Sequence, residues 1–201
     1  MRKRSEKRLS KSRTNYTKKA GRPPGSIVHL GEVKVTRPDI TLFDYSSENL
    51  TEVTFRSIDE SRHYPRAHDT LWLNVHGLHD TTVMEEIGRR FGLHPLVLED
   101  VANTQQRAKL DEYEGYSYVA LRTFRYDADT HDAVSDQISL VLGKNFVLSF
   151  QERPSGLFEP TRNRLRQGGG LRHGGAAALL HALIDAIVDQ YFVVVEALSA
   201  D

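Results

Sequence analysis

Residues 116–150 constrain the fold more than any other stretch, because they contain three strand patterns in immediate succession. Residues 116–126 alternate between apolar and polar side chains, and apolar runs follow at 137–142 and 146–150. The connections between them are short, with Gly-Lys-Asn at 143–145. Strands joined by such short connections pair as antiparallel neighbours. The sequence therefore predicts an antiparallel meander as one part of a β-sheet.

Further strands and helices flank this meander. Apolar alternation predicts strands at 26–36, 40–43, 51–55 and 71–75. In the last of these, Trp72 occupies the second face, which indicates that both sides of the sheet are covered. Helical spacing predicts a helix from Asp80, a good N-cap, to Gly92, and a shorter helix at 159–167. We expect an α/β fold whose mixed, largely antiparallel sheet of about six or seven strands is sandwiched between helices.

The chain closes with a long helical pattern at about 176–201. Apolar residues cover more than half of its circumference, so it needs packing partners on more than one side. No helix stop signal precedes Asp201, and we expect a truncated helix of the stalk type. Because His181, Asp185 and Asp189 interrupt the apolar run, we expect no segment with the roughly 20 apolar residues that cross a bilayer. As given, the chain is expected to be soluble.

Charge divides the chain into a tail and a body. Residues 1–22 carry ten Lys or Arg and one Glu, and subtraction from the totals of 27 and 27 leaves 17 basic and 26 acidic residues at 23–201. We expect a disordered basic tail at 1–22 and a folded body at 23–201 that begins near Pro23-Pro24-Gly25. The tail is either a solvated segment or an arm for anionic lipid or nucleic acid. Without cysteine, the chain has no thiolate metal ligand or nucleophile.

Two groups of acids are candidate cation ligands. Glu99 and Asp100 end the run HPLVLED at 94–100, where Pro95 suits the first turn of a helix. Adjacent carboxylates there are either a solvated helix end or ligands for Mg²⁺ or Ca²⁺. Asp185 and Asp189, with a histidine one turn earlier, form a polar stripe that either binds a divalent ion or lies buried and hydrogen-bonded.

The chain from about Thr70 onward resembles the cytoplasmic domain of the CorA family of magnesium and cobalt transporters. The matching blocks follow the family's order and are LWLNVHGLH at 71–79, HPLVLED at 94–100, QR at 106–107, residues 116–124, QISLVL at 137–142, NFVLSFQE at 145–152 and LIDAIVDQYF at 183–192. One departure is Ala108, where the family has proline after the arginine. The family's two C-terminal transmembrane helices and Gly-Met-Asn signature are absent from this chain.

The resemblance implies a function as well as a fold. Family members hold regulatory Mg²⁺ between neighbouring subunits of a homopentamer, and the motif carries that role to Glu99, Asp100 and Asp185. Asp189 is added from its spacing alone. We expect Mg²⁺, or Co²⁺, bound here to favour the closed channel. Its binding to this chain should be weak, because the ligand from the stalk helix lies beyond Asp201. The resemblance also implies a position at the cytoplasmic face of the membrane, attached through the missing helices, with the basic tail near anionic lipid.

Three other functions are alternatives to a transporter domain. A freestanding soluble module with the same fold would sense metal or bind a partner without transport. Catalysis is not expected, since the chain has no Gly-x-Ser-x-Gly, His-Glu-x-x-His or phosphate-binding loop. Nucleic-acid binding rests only on the charged tail, because the body lacks interleaved basic and aromatic residues.

Overall fold

The computed structural model describes residues 20–130 and 132–199. Most of the predicted basic tail, residues 1–19, therefore lies outside the described residues. The described chain contains seven strands in one sheet and six helices. The strands are β1 Asp39–Tyr45, β2 Leu50–Phe55, β3 Thr70–His76, β4 Lys109–Tyr113, β5 Tyr116–Asp127, β6 Asp132–Gly143 and β7 Phe146–Gln151. The helices are α1 Ile58–Arg62, α2 Thr81–Phe91, α3 Pro95–Ala102, α4 Glu159–Gln167, α5 Gly170–His173 and α6 Gly175–Ser199.

The sheet is mixed and largely antiparallel, as the sequence predicts. Its strand order is β2-β1-β3-β7-β6-β5-β4, and only β3 and β7 pair in parallel. The predicted meander is confirmed, since β5, β6 and β7 pair antiparallel in succession. Every residue of β3, an interior strand of the sheet, is buried. The sheet is therefore covered on both faces.

Two separate cores lie on the two faces of the sheet. On one face, α2 and α3 pack Val83, Ile87 and Val97 against strand residues that include Leu73. On the other face, α4, α5 and α6 pack against an aromatic group centred on Trp72, which stacks on Phe43 at 4.8 Å between ring centroids and also meets Phe158. The predicted sandwich of sheet and helices is confirmed.

Capping residues fix both ends of α2 at the positions that the sequence predicts. The Asp80 carboxylate accepts hydrogen bonds from the backbone N–H groups of Thr82 and Val83, at 3.0 and 3.3 Å. Gly92 ends the helix in the left-handed conformation, with φ of +65°. A side chain other than glycine is disfavoured there, so the α2–α3 turn has a defined geometry.

The strand prediction is wrong at one segment and incomplete at another. Residues 26–36 form no strand, and their only ladder contact in the described chain is an isolated bridge from Leu30 to Asn103. The seventh strand is instead β4, which pairs with β5 at the edge of the sheet. The segment at 26–36 has no neighbouring strand along which to extend, so its alternation does not produce a ladder.

Helix α6 has about the predicted length, at Gly175–Ser199, and is more apolar than its interrupted sequence pattern indicated. By length and composition alone its 25 residues qualify as long and apolar enough to cross a membrane, which corrects the expectation that no segment does. The first half packs on the sheet through Leu179, Leu183 and Ile187. The second half exposes Phe192 and Val195 at 65% and 60%. The predicted end of this helix, at 200–201, lies outside the described residues.

Candidate cation site

Helix α3 holds the first pair of acids on a rigid base. The Nδ1 atom of His94 caps the helix by accepting the backbone N–H of Leu96 at 3.2 Å, and the backbone N–H of His94 donates to the Tyr116 hydroxyl at 2.8 Å. Val97, Leu98 and Val101 are buried in the core beneath. Glu99 and Asp100 lie between these anchors, so their backbone positions are fixed by the packing of the helix.

The structure surrounds Glu99 and Asp100 with hydrogen-bond donors. The Glu99 carboxylate accepts the backbone N–H of Gly25 at 2.8 Å. One oxygen of Asp100 accepts from the Gln106 amide and the other from the Lys109 ammonium, both at 2.6 Å. The Asp100 side chain is 17% exposed. Both oxygens of Asp100 are thus hydrogen-bonded, and the Lys109 ammonium already balances its charge.

Lys109 links Asp100 to the edge strand β4. Its ammonium also lies 2.7 Å from the Asp111 carboxylate and 5.6 Å from the ring centroid of Tyr118. Burial lowers the pKa of Lys109, but its hydrogen bonds to Asp100 and Asp111 outweigh that effect, and the pKa lies above its ordinary value. Lys109 therefore stays charged, and any metal ion at Asp100 meets this ammonium as a competitor.

The second pair of acids lies on α6. Asp185 and Asp189 are exposed, as is His181 one turn earlier, so the predicted polar stripe exists and faces outward. The alternative of a stripe buried against the sheet is wrong. Among the described residues, Asp185 and Asp189 make no ion pair. These two carboxylates are therefore open to a cation from outside.

The structure does not bring the two acid pairs together within one chain. Glu99 and Asp100 belong to α3 on one face of the sheet, and Asp185 and Asp189 belong to α6 on the other. In the described part of the chain no three or more His, Asp or Glu residues cluster closely enough to hold a metal ion. Each pair supplies two carboxylates, a donor set that suits Mg²⁺ with most of its waters retained.

Comparison with known proteins decides the family. A sequence model described as CorA-like Mg²⁺ transporter protein matches residues 67–201. This chain belongs to the CorA family. It is 40% identical over 192 residues to the cobalt/magnesium transport protein CorA of Thermotoga maritima. This alignment covers 95% of this chain and 52% of that protein. It is also 29% identical over 117 residues to the magnesium transporter ALR1 of Saccharomyces cerevisiae, which covers 58% of this chain and 14% of that protein.

Solved structures agree on the fold. The soluble domain of CorA from Methanocaldococcus jannaschii matches with a TM-score of 0.60 at 12% identity, over 80% of this chain and 60% of that one. The ZntB cytoplasmic domain from Vibrio parahaemolyticus matches with a TM-score of 0.57 at 15% identity, over 80% and 62%. The predicted CorA-type α/β fold is thereby confirmed. The chain spans about half the length of the Thermotoga CorA protein.

Contacts around the acids were only partly foreseeable. The run at 94–100 located Glu99 and Asp100, but nothing in it pointed to Lys109, nine residues later, or to Gln106. The available signal was the alternation of Lys109 with Asp111, which places both on the same face of a strand. That signal requires β4 to be recognised first.

Proposed function

We propose that this chain is the cytoplasmic cation-sensing region of a CorA-type transporter of magnesium or cobalt, with residues 23–201 forming its domain. Family membership and the CorA fold support the general role. The carboxylates of Glu99, Asp100, Asp185 and Asp189 support a hard divalent ion such as Mg²⁺ as the regulatory ligand, with Co²⁺ as a second candidate. The role is one of binding rather than catalysis.

The placement of the acid pairs on opposite faces of the sheet carries this proposal. One ion cannot reach both pairs within a chain, but it can when the α3 face of one copy meets the α6 face of the next. Contacts of this heterologous kind close into a ring when the rotation between copies is right. A homopentamer, as the family resemblance implies, is one such ring.

Charge explains how an ion would regulate this assembly. Residues 23–201 carry 26 acidic and 17 basic residues, so neighbouring bodies repel one another. A divalent ion between the α3 acids and the α6 acids offsets that repulsion and favours the closed, symmetric state. Loss of the ion loosens the ring, and the transporter opens. Such a two-state equilibrium shifts only as far as the ion's affinities for the two states differ.

The surroundings of the whole protein are part of the same proposal. The name of the ZntB cytoplasmic domain supports a position at the cytoplasmic face of the membrane. The basic residues at 1–22 would then lie near anionic headgroups, each cation contributing about 1 kcal/mol at the membrane surface. Attachment would come through membrane helices that follow the α6 segment in the full-length protein.

Complementation between two variants tests whether the ion bridges two copies. Sedimentation velocity of the chain is followed in millimolar MgCl₂, with NaCl at matched ionic strength as the reference. We expect the native chain to associate with Mg²⁺, and Asp100→Asn or Asp185→Asn alone to weaken association. An equimolar mixture of the two variants should recover dimers, because the intact α3 acids of one meet the intact α6 acids of the other.

The matched control is Glu48→Gln, which removes an exposed acid in the β1–β2 turn, on neither α3 nor α6. It should associate like the native chain. A mixture of the two aspartate variants that stays as monomeric as each variant alone contradicts an ion shared between the faces. No Mg²⁺-dependent association of the native chain contradicts cation sensing by these residues.

A further inference from the structure

A basic cleft lies outside the acid pairs, at one end of the sheet. It has a volume of about 710 Å³ and forms where the ends of β5 and β7 and the start of β6 meet the loop after α3. Four cationic side chains line it, namely Lys34, Arg122, Arg125 and Arg153. Its size falls within the range of sites for small ligands.

The floor of the cleft is a network of ion pairs in which the positive and negative charges are equal in number. Arg153 donates two hydrogen bonds to one oxygen of Asp136, at 2.9 and 2.7 Å. Lys34 contacts the other oxygen of Asp136 and lies 2.7 Å from Glu152. Two cations thus face two buried carboxylates. This arrangement fixes the side chains and leaves little net charge on the floor.

The wall of the cleft carries the two cations Arg122 and Arg125 and one exposed carboxylate, Glu32. The Arg122 guanidinium donates to the Ser135 hydroxyl at 3.2 and 2.7 Å and to the Thr104 carbonyl at 3.1 Å. All of these acceptors are neutral, and three bonds leave part of its five N–H donors without a partner among the described residues. Arg125 lies 3.9 Å from its nearest carboxylate, Asp127. The half-buried Arg122 is therefore a charge that makes no ion pair with any carboxylate in the described part of the chain.

We propose that this cleft binds the phosphate group of a small anion on Arg122 and Arg125. A guanidinium held in a fixed plane matches phosphate oxygens in pairs, and prior anchoring on Ser135 lowers the cost of ordering it. The cleft is larger than one phosphate. Val33 and Val134 add apolar surface that fits the remainder of a phosphate monoester, such as a mononucleotide or a sugar phosphate. Inorganic phosphate shares the same recognition chemistry.

Titration of the chain with three probes tests this site and distinguishes the sources. Amide chemical shifts and calorimetry are followed with AMP, with inorganic phosphate and with adenosine, which lacks the phosphate. We expect AMP to bind and to shift amides at 104–105, 122–125 and 134–135, while adenosine shifts none. Inorganic phosphate should bind the same amides more weakly. Equal affinity for phosphate and AMP would support the anion site and would identify inorganic phosphate as its ligand.

Arginine variants complete the test. Arg122→Gln and Arg125→Gln should each weaken AMP binding by about tenfold or more, the usual loss for a charge-assisted contact. Arg125 is exposed and has no role in packing, so its variant keeps the test valid if Arg122→Gln does not fold. Arg164→Gln, an exposed arginine on α4, is the control for net charge and should leave binding unchanged. Equal binding of adenosine and AMP, or native affinity in the Arg125→Gln chain, would overturn the proposal.

Discussion

Replacement of Lys109 by methionine isolates the competition for Asp100. The ammonium lies 2.6 Å from Asp100 and 2.7 Å from Asp111, and the Lys109 side chain is 31% exposed. A fully buried charge-assisted hydrogen bond contributes about 1.5–3 kcal/mol, and solvent at this exposure reduces it to about 1–2 kcal/mol. Methionine keeps most of the apolar stem against the ring of Tyr118. The change therefore removes charge with little loss of packing.

Two results follow from that magnitude. A divalent ion at Asp100 no longer has to displace the ammonium, so we expect Mg²⁺ affinity to rise by about tenfold, which corresponds to about 1.4 kcal/mol. Without divalent ions, Asp100 loses its counter-charge, and the melting temperature should fall by roughly 2–8 °C for a chain of this size. Saturating Mg²⁺ should restore most of that loss.

Thermal melting across a MgCl₂ series measures both results. The native chain, Lys109→Met, Lys109→Arg and Lys144→Met are compared, the last removing an exposed lysine in the β6–β7 turn. The arginine variant and the turn variant should both follow the native chain. If Lys109→Met responds to Mg²⁺ with the native midpoint, Lys109 does not compete with the ion, and the role given to this ion pair is refuted.

Two further predictions concern stability. The pKa of His76 is lowered by burial and by the charge of Arg162, partly opposed by Asp39, so its stabilising effect is complete above about pH 6.5 and is lost as the pH falls through its folded pKa; unfolding in urea from pH 7 to pH 5 should show a smaller loss for His76→Gln than for the native chain. Gly88→Ala places a Cβ 2.4 Å from Leu98 on α3, and the packing cost of about 1–3 kcal/mol should exceed the gain of about 1 kcal/mol in helix propensity. A native urea midpoint for Gly88→Ala would show that the Leu98 side chain moves aside freely.

Most of the fold was predictable because the pattern of apolar and polar side chains along most strands is itself typical of a strand. The meander at β5, β6 and β7 has both alternation and short turns, and α2 carries its own caps. Strand β4 was missed because it reads Lys-Leu-Asp-Glu-Tyr, with Leu110 62% exposed at the sheet edge. Charged residues on an edge strand prevent pairing with other chains, so a native edge lacks the apolar signal of a central strand.

The candidate site was predictable only where it is local. Adjacent carboxylates after a proline at the first turn identify Glu99 and Asp100 from seven residues of sequence. Their partners come from elsewhere in the fold, because Gly25 precedes the first strand and Lys109 sits on the edge strand. Helical spacing likewise gave the stripe of Asp185 and Asp189 but not its direction, since α6 is apolar on so much of its surface. Packing of α6 against the sheet determines that direction.

The separation of the two acid pairs has a thermodynamic consequence. If one ion is shared by the α3 acids of one copy and the α6 acids of another, ion binding and association are linked, and each must strengthen the other by the same factor. The midpoint of a Mg²⁺ titration would then fall as the protein concentration rises. An ion held within one chain gives a midpoint independent of protein concentration. Lys109 already neutralises Asp100 in the single chain. The ion therefore gains most binding free energy from carboxylates of a second copy that have no lysine partner, and those carboxylates belong to the exposed stripe on α6.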